Sequence, residues 1–329
     1  MSLNEFELIK QYFTRQAKHA SVVKSIGDDC AILSIPENQH LVVSMDTLVA
    51  GRHFPEFATP YHIATRAMCT TVSDLAAMGA TPLWFTLGLT LPGIDKEWLA
   101  EFSRGLFDLA DQFDMDLIGG DTTQGPLTIT IQVHGAVAID QVLRRDSANI
   151  GDRLFVSGCV GDGAAALAAI QHNIDPSAEA KKYLLSRFYR PLPQIELGKA
   201  LAPFARAAID ISDGLLADAQ HIADASEVGL VIDVDRLPIH HYLQQYDLDV
   251  VRTWALAGGD DYQLLFTVSD ATLPDIAALA KEKGISIAEI GSVVAASEGV
   301  QCYAGGVPYS LSTHSLLSQQ PKGYQHFTA

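Results

Sequence analysis

Residues 140–152, Asp-Gln-Val-Leu-Arg-Arg-Asp-Ser-Ala-Asn-Ile-Gly-Asp, form a polar, turn-rich interruption in a chain otherwise dominated by apolar runs. On its far side Arg153–Ser157 reads as a strand, followed by an alanine-rich helix over 164–171 and further alternation of strand and helix. On its near side residues 127–133, Leu-Thr-Ile-Thr-Ile-Gln-Val, alternate apolar and polar with period two, the pattern of a half-buried strand. Phe85, Leu87, Leu89 and Leu91 repeat that period, and residues 40–46 read as a strand ending at Asp46. Between them residues 61–79 read as a helix carrying Asp74 near its end, and Trp98, Phe102, Leu106, Leu109 and Phe113 trace a helical core stripe. The interruption is therefore expected to join two α/β domains, 1–145 and 146–329.

The bulk properties narrow the function. A net charge of −17, from 22 basic and 39 acidic residues, excludes the basic face that nucleic acid requires. Small phosphorylated ligands stay open, because metal ions can mediate between acidic protein and anionic substrate. The four cysteines, Cys30, Cys69, Cys159 and Cys302, are widely spaced with no CxxC pair, which points away from zinc and disulfides. Asn4, Glu5 and Glu7 break any signal-peptide core and no run is long enough for a membrane span, so a cytoplasmic protein is expected.

One local grammar recurs: aspartate beside glycine, serine or threonine. It occurs at Gly27-Asp28-Asp29, Ser44-Met45-Asp46-Thr47, Ser73-Asp74, Gly119-Gly120-Asp121-Thr122, Asp210-Ile211-Ser212-Asp213-Gly214 and Gly258-Gly259-Asp260-Asp261. Singly, each reads as a turn or a helix cap. Together, in both halves of an acidic chain, they suit Mg²⁺, which takes hard oxygen ligands and leaves room for substrate phosphates. Adjacent carboxylates such as Asp28 and Asp29 repel by about 3 kcal/mol at 5 Å, and water, a basic side chain or a cation must offset that. The phosphate loops GxxxxGK[ST] and GxGxxG and a kinase-type catalytic loop are missing, which leaves Arg144 and Arg145 as candidate phosphate contacts.

In order, IGDDCAIL (26–33), SMDTLVAGRHF (44–54), VSDLAAMGATP (72–82), IGGDTT (118–123), IDISDGLLAD (209–218), GGDDYQL (258–264) and KGYQHF (322–327) resemble the thiamine-monophosphate kinase family, essentially end to end. That family belongs with aminoimidazole ribonucleotide synthetase, selenophosphate synthetase and a hydrogenase-maturation dehydratase. The resemblance implies a two-domain, aminoimidazole ribonucleotide synthetase-like α/β fold with mixed sheets and no P-loop, a homodimer formed through the first domain, and ATP with Mg²⁺ as the phosphoryl source. It assigns Asp29, Ser44, Met45 (through its carbonyl), Asp46, Asp74, Asp121, Asp210 and Asp213 to magnesium. It assigns Gly120, Asp121, Arg145 and Ser212 to ATP, and His53, Asp260 and Tyr324 to thiamine monophosphate. Three positions depart from the family pattern: Met45 for threonine, Asp260 for glutamate, and Gln263 for an acidic residue. The alternatives are another ATP-using member of the superfamily, or a non-catalytic nucleotide and Mg²⁺ sensor.

Overall fold

The structure, a computed structural model, describes residues 4–311. By contact the chain divides into two compact units. One runs up to Leu75 and takes in Ala80–Val142; the other comprises Ala76–Gly79 and the chain from Leu143 onward.

In the first unit a small antiparallel pair, β1 (Val22–Lys24) and β2 (Ile32–Leu33), precedes a four-stranded sheet of β3 (Gln39–Val49), β4 (Thr81–Leu91), β5 (Asp116–Gln124) and β6 (Thr128–Ala138). The order across the sheet is β3-β6-β4-β5, antiparallel except for the parallel pair β4–β5. Period-two patterning drives it: Ile129, Ile131 and Val133 of β6 point inward and align with Leu89, Leu87 and Phe85 of β4. Strand β3 does not end at Asp46 but continues to Val49, because the ladder with β6 runs on through Asp46–Ile131 to Val49–Thr128.

Helix α1 (Pro60–Ala77) covers the inward face, with Ala64, Ala67, Met68, Val72 and Leu75 buried. The buried Thr70 hydroxyl donates to the Ala67 carbonyl at 3.1 Å, and Thr71 Oγ1, 2.9 Å from the same carbonyl, also lies within reach of the Asp46 carboxyl. Helix α2 (Lys96–Gln112) is capped by the Asp95 carboxylate, which accepts from Glu97 N and Trp98 N, and buries Leu99, Phe102, Leu106 and Leu109.

In the second unit β7 (Arg153–Ser157), β8 (Ala205–Asp210), β9 (Val228–Asp233), β10 (Leu264–Val268), β11 (Ile287–Ala295), β12 (Val300–Ala304) and β13 (Val307–Tyr309) form one sheet in the order β13-β12-β9-β11-β7-β10-β8. All pairings are antiparallel except β12–β9. Its helices include α3 (Asp162–Ile170), α4 (Ala178–Tyr189), α5 (Leu215–Ser226) and α6 (Leu248–Ala257). The core joins Val156, Ile209, Leu230, Ile232, Leu265 and Ile290 of the sheet to Leu215 and Ile222 of α5. The fold is thus α/β with mixed sheets in both units.

Candidate active site

Alternation along β3 decides what faces α1. Ser44 and Asp46 align with the buried Val133 and Ile131 and so share the inward face, while Met45 points outward and is 59% exposed. Asp74, near the end of α1, accepts a hydrogen bond from Ser44 Oγ at 2.5 Å. Burial, and then the neighbouring charge of Asp74, pushes the Asp46 carboxyl up to about 6, against a downward pull from the Thr71 hydroxyl. A hydroxyl and two neighbouring carboxyl groups form a set of hard oxygens suited to Mg²⁺. The Met45 thioether, on the opposite face and too soft for this ion, has no part in such a set beyond its backbone.

The other first-unit candidates lie apart from this cluster. Gly120 aligns across the sheet with Leu87, Ile131 and Asp46, but at the far edge, with β6 and β4 between, roughly 14 Å at normal strand spacing. Only glycine fits there, since a Cβ would stand 2.0 Å from the Leu87 carbonyl oxygen. Asp121, one residue on, aligns with Gly88 and Thr130, the rows that face away from Asp46. Within one chain, therefore, Asp46 and Asp121 do not meet.

Asp29 stands in an exposed loop, its N–H donating to Asp28 Oδ1 at 2.9 Å, and Lys24 Nζ lies 3.8 Å from Asp28 Oδ2. Water and Lys24 thus offset the repulsion between these adjacent acids. His53 is fixed at both ends: its Nδ1 accepts from Val49 N at 3.0 Å and its carbonyl accepts from the buried Arg66 Nε at 2.7 Å. With Nδ1 accepting, the ring proton of a neutral His53 resides on Nε2, a donor suited to an anion. Tyr324 lies outside the described residues.

In the second unit two loops brace each other at the ends of neighbouring strands. Asp210, 3% exposed, closes β8 opposite Leu264. Beyond it Ile211 N donates to Gln263 O at 2.8 Å, Tyr262 N to Ile211 O at 2.8 Å, and Asp260 N to Ser212 O at 2.9 Å. The N–H groups of Ser212, Asp213 and Gly214 all donate to Asp218 Oδ2, each at 3.1 Å. Asp218 is 2% exposed, and burial followed by the charge of Asp213 pushes it up to about 7. Ligand atoms of Asp213, Asp218 and His221 lie within 4.8 Å of one another.

Asp261, fully buried, accepts from Gly161 N at 2.7 Å and Gly163 N at 3.0 Å. Gln263 is buried against Ser157 Oγ at 2.9 Å. Arg145 is exposed, its carbonyl accepting from Ser226 Oγ at 2.6 Å, whereas Arg144 is paired with Asp146, Nε to Oδ1 at 2.9 Å.

The structure thus brings together Ser44, Asp46 and Asp74 in one unit, and Asp210, Ser212, Asp213 and Asp260 in the other. Sequence reasoning missed Thr71, Asp218 and Asp261. Asp218 carried a signal, since it falls four residues after Gly214, one helical turn into α5 and facing back toward its start.

Comparison with known proteins adds an independent line. Residues 27–137 match the N-terminal domain, and residues 149–302 the C-terminal domain, of AIR synthase related proteins. The thiamine-monophosphate kinase of Escherichia coli K12 is 43% identical over 330 residues, covering 99% of each chain. The crystal structure of thiamine-monophosphate kinase from Stenotrophomonas maltophilia superposes with a TM-score of 0.82 at 41% identity, covering 88% of this chain and 92% of that one. AaThiL complexed with AMPPCP and TMP superposes with a TM-score of 0.75 at 29% identity, covering 92% of each chain.

Proposed function

The chain belongs to the AIR synthase related family and, within it, to the thiamine-monophosphate kinases, and we propose that it carries out ATP-dependent phosphorylation of thiamine monophosphate to thiamine diphosphate. Among the structural observations, the cluster of Ser44 Oγ, Asp46 and Asp74 carries this reading furthest. It concentrates anionic oxygen where a phosphotransferase without a P-loop needs cations.

The acceptor is a phosphate oxygen, already ionised near neutral pH, so no general base is required and the protein's work is positioning and charge neutralisation. Mg²⁺, when bound, supplies the positive charge that lets two anions approach. Ser44, Asp46 and Asp74 fit it, with Asp29, Asp121, Asp210, Asp213 and the Met45 carbonyl as the further assigned ligands. Gly120, where the close approach of the Leu87 backbone admits only glycine, is assigned to ATP with Asp121, Arg145 and Ser212. His53 offers Nε2–H to the phosphate of thiamine monophosphate, with its ring angle set by Val49 N. Asp260 offers negative charge to the cationic thiazolium; its shorter side chain, relative to the family's glutamate, is partly fixed by the Tyr262 hydroxyl donating to Oδ1 at 3.0 Å.

The proposed homodimer is supported by an exposed apolar stripe in the first unit. Leu41, Val43 and Met45, alternate residues of edge strand β3, are 39%, 48% and 59% exposed on one face, an apolar stripe that an isolated sheet edge leaves open to association. No helix among the described residues is long and apolar enough to cross a membrane. A coupled assay of ADP release across acceptors tests the function. Thiamine monophosphate should elicit turnover with Mg²⁺ and ATP; aminoimidazole precursors or selenide should not. ATP binding without any acceptor-dependent ADP would indicate a sensor.

A further inference from the structure

The loop carrying Asp260 is held in a conformation its own residues disfavour. Asp260 and Tyr262 both have left-handed backbones, with φ of +70° and +50°, and non-glycine residues persist there only when their surroundings over-determine them. Asp261, between them, is fully buried. Its two carboxylate oxygens take the Gly161 and Gly163 N–H groups at 2.7 and 3.0 Å, and its carbonyl takes Arg187 Nη2 at 3.0 Å. Gly161 and Gly163 flank the start of α3, so a buried carboxyl group accepts N–H groups at the positive end of that helix. A second, independent contact joins the same parts. A Cβ on Gly163 would lie 2.5 Å from the Gly259 carbonyl oxygen and 2.6 Å from the Asp260 carbonyl carbon, so the start of α3 packs directly on the backbone of this loop.

We propose that Asp261 is a positioning residue: by clamping the Gly259–Tyr262 loop to the start of α3 it fixes where the Asp260 carboxylate stands, and so sets affinity for the cationic acceptor without touching it. The inference deepens the function proposed above and rests on Asp260 contacting thiamine monophosphate. Its consequence is selective. Loosening the clamp lets Asp260 and Tyr262 relax toward ordinary backbone angles, which moves the acceptor's counter-charge and leaves Ser44, Asp46 and Asp74, the first unit's assigned magnesium ligands, in place.

The test compares wild type, Asp261→Asn, Asp260→Ala and the double variant by steady-state kinetics in both substrates, with thermal melting as the check on folding. Asp261→Asn should raise KM for thiamine monophosphate about tenfold, with kcat within about twofold and a smaller rise in KM for ATP, felt through the contact of Asp260 N with the Ser212 carbonyl. In the Asp260→Ala background the same substitution should have no further effect on that KM, because the group it positions is gone. Should Asp261→Asn fail to fold, Gly163→Ala presses on the Gly259–Asp260 backbone while keeping both amide donors, and carries the same expectation. A folded variant with an unchanged KM for the acceptor would overturn the proposal. So would kcat falling with folded fraction at constant KM, or additive effects in the double variant. Absence of acceptor-dependent ADP release from the wild type would instead count against the function, a distinguishable failure.

Discussion

Replacing Asp46 with Asn should make the metal-free protein more stable and the enzyme nearly inactive, opposite signs from one substitution. The Asp46 carboxyl is pushed from 3.8 to about 6 by burial and by Asp74, and each pH unit of such displacement corresponds to about 1.4 kcal/mol. For a group whose folded pKa is raised, the stability it contributes is present below 3.8 and is lost as pH rises through 6, so at pH 7 the ionised side chain costs the metal-free fold about 3 kcal/mol. An amide of the same shape removes that cost and weakens the contact with Thr71, leaving a net gain of about 2 kcal/mol. In EDTA at pH 7 calorimetry should show the melting transition of Asp46→Asn about 4–8 °C above wild type. With saturating Mg²⁺ the order should reverse, because only the wild type gains from binding. Turnover of the variant should fall about a hundred- to a thousandfold. A metal-free Asn variant that melts below wild type, or one retaining near-normal turnover, would refute the reasoning.

Protons should compete with Mg²⁺ at Asp46, so the cation's affinity by titration calorimetry should weaken about tenfold per pH unit below about 6 and level off above it. Gly120→Ala should prevent normal folding of the first sheet, since its Cβ would fall 2.0 Å from the Leu87 carbonyl oxygen, and soluble yield should drop sharply. Val43→Lys places a charge in the middle of the exposed apolar stripe on β3; if the proposed homodimer forms there, sedimentation should show a wild-type dimer and a variant monomer at micromolar concentration, with the variant melting normally.

Elements with a strong period were legible in the sequence: the alternation of β6, the run Phe85–Leu91, and the stripe of α2 are written in neighbouring residues. The end of β3 was not, because a polar Asp46 resembles a strand end, whereas eleven consecutive pairings with β6 carry the backbone past it. The strand order β3-β6-β4-β5 is likewise a property of long-range pairing, so the separation of Asp121 from Asp46 could not be seen in motifs that look alike. Asp261 was hidden for a similar reason. It sits beside the more conspicuous Asp260, and its partners Gly161 and Gly163 are about a hundred residues away. The aspartate grammar identified the kind of chemistry; which carboxylates brace backbone and which face solvent emerged only from packing.

The central claim is a direct phosphoryl transfer between two anions, and following the label from γ-³²P ATP tests it most directly. With Mg²⁺ and thiamine monophosphate the label should appear in thiamine diphosphate, one equivalent for each ADP formed, and none of it should transfer in EDTA. Label released as inorganic phosphate, or ADP formed equally well without the acceptor, would contradict the account.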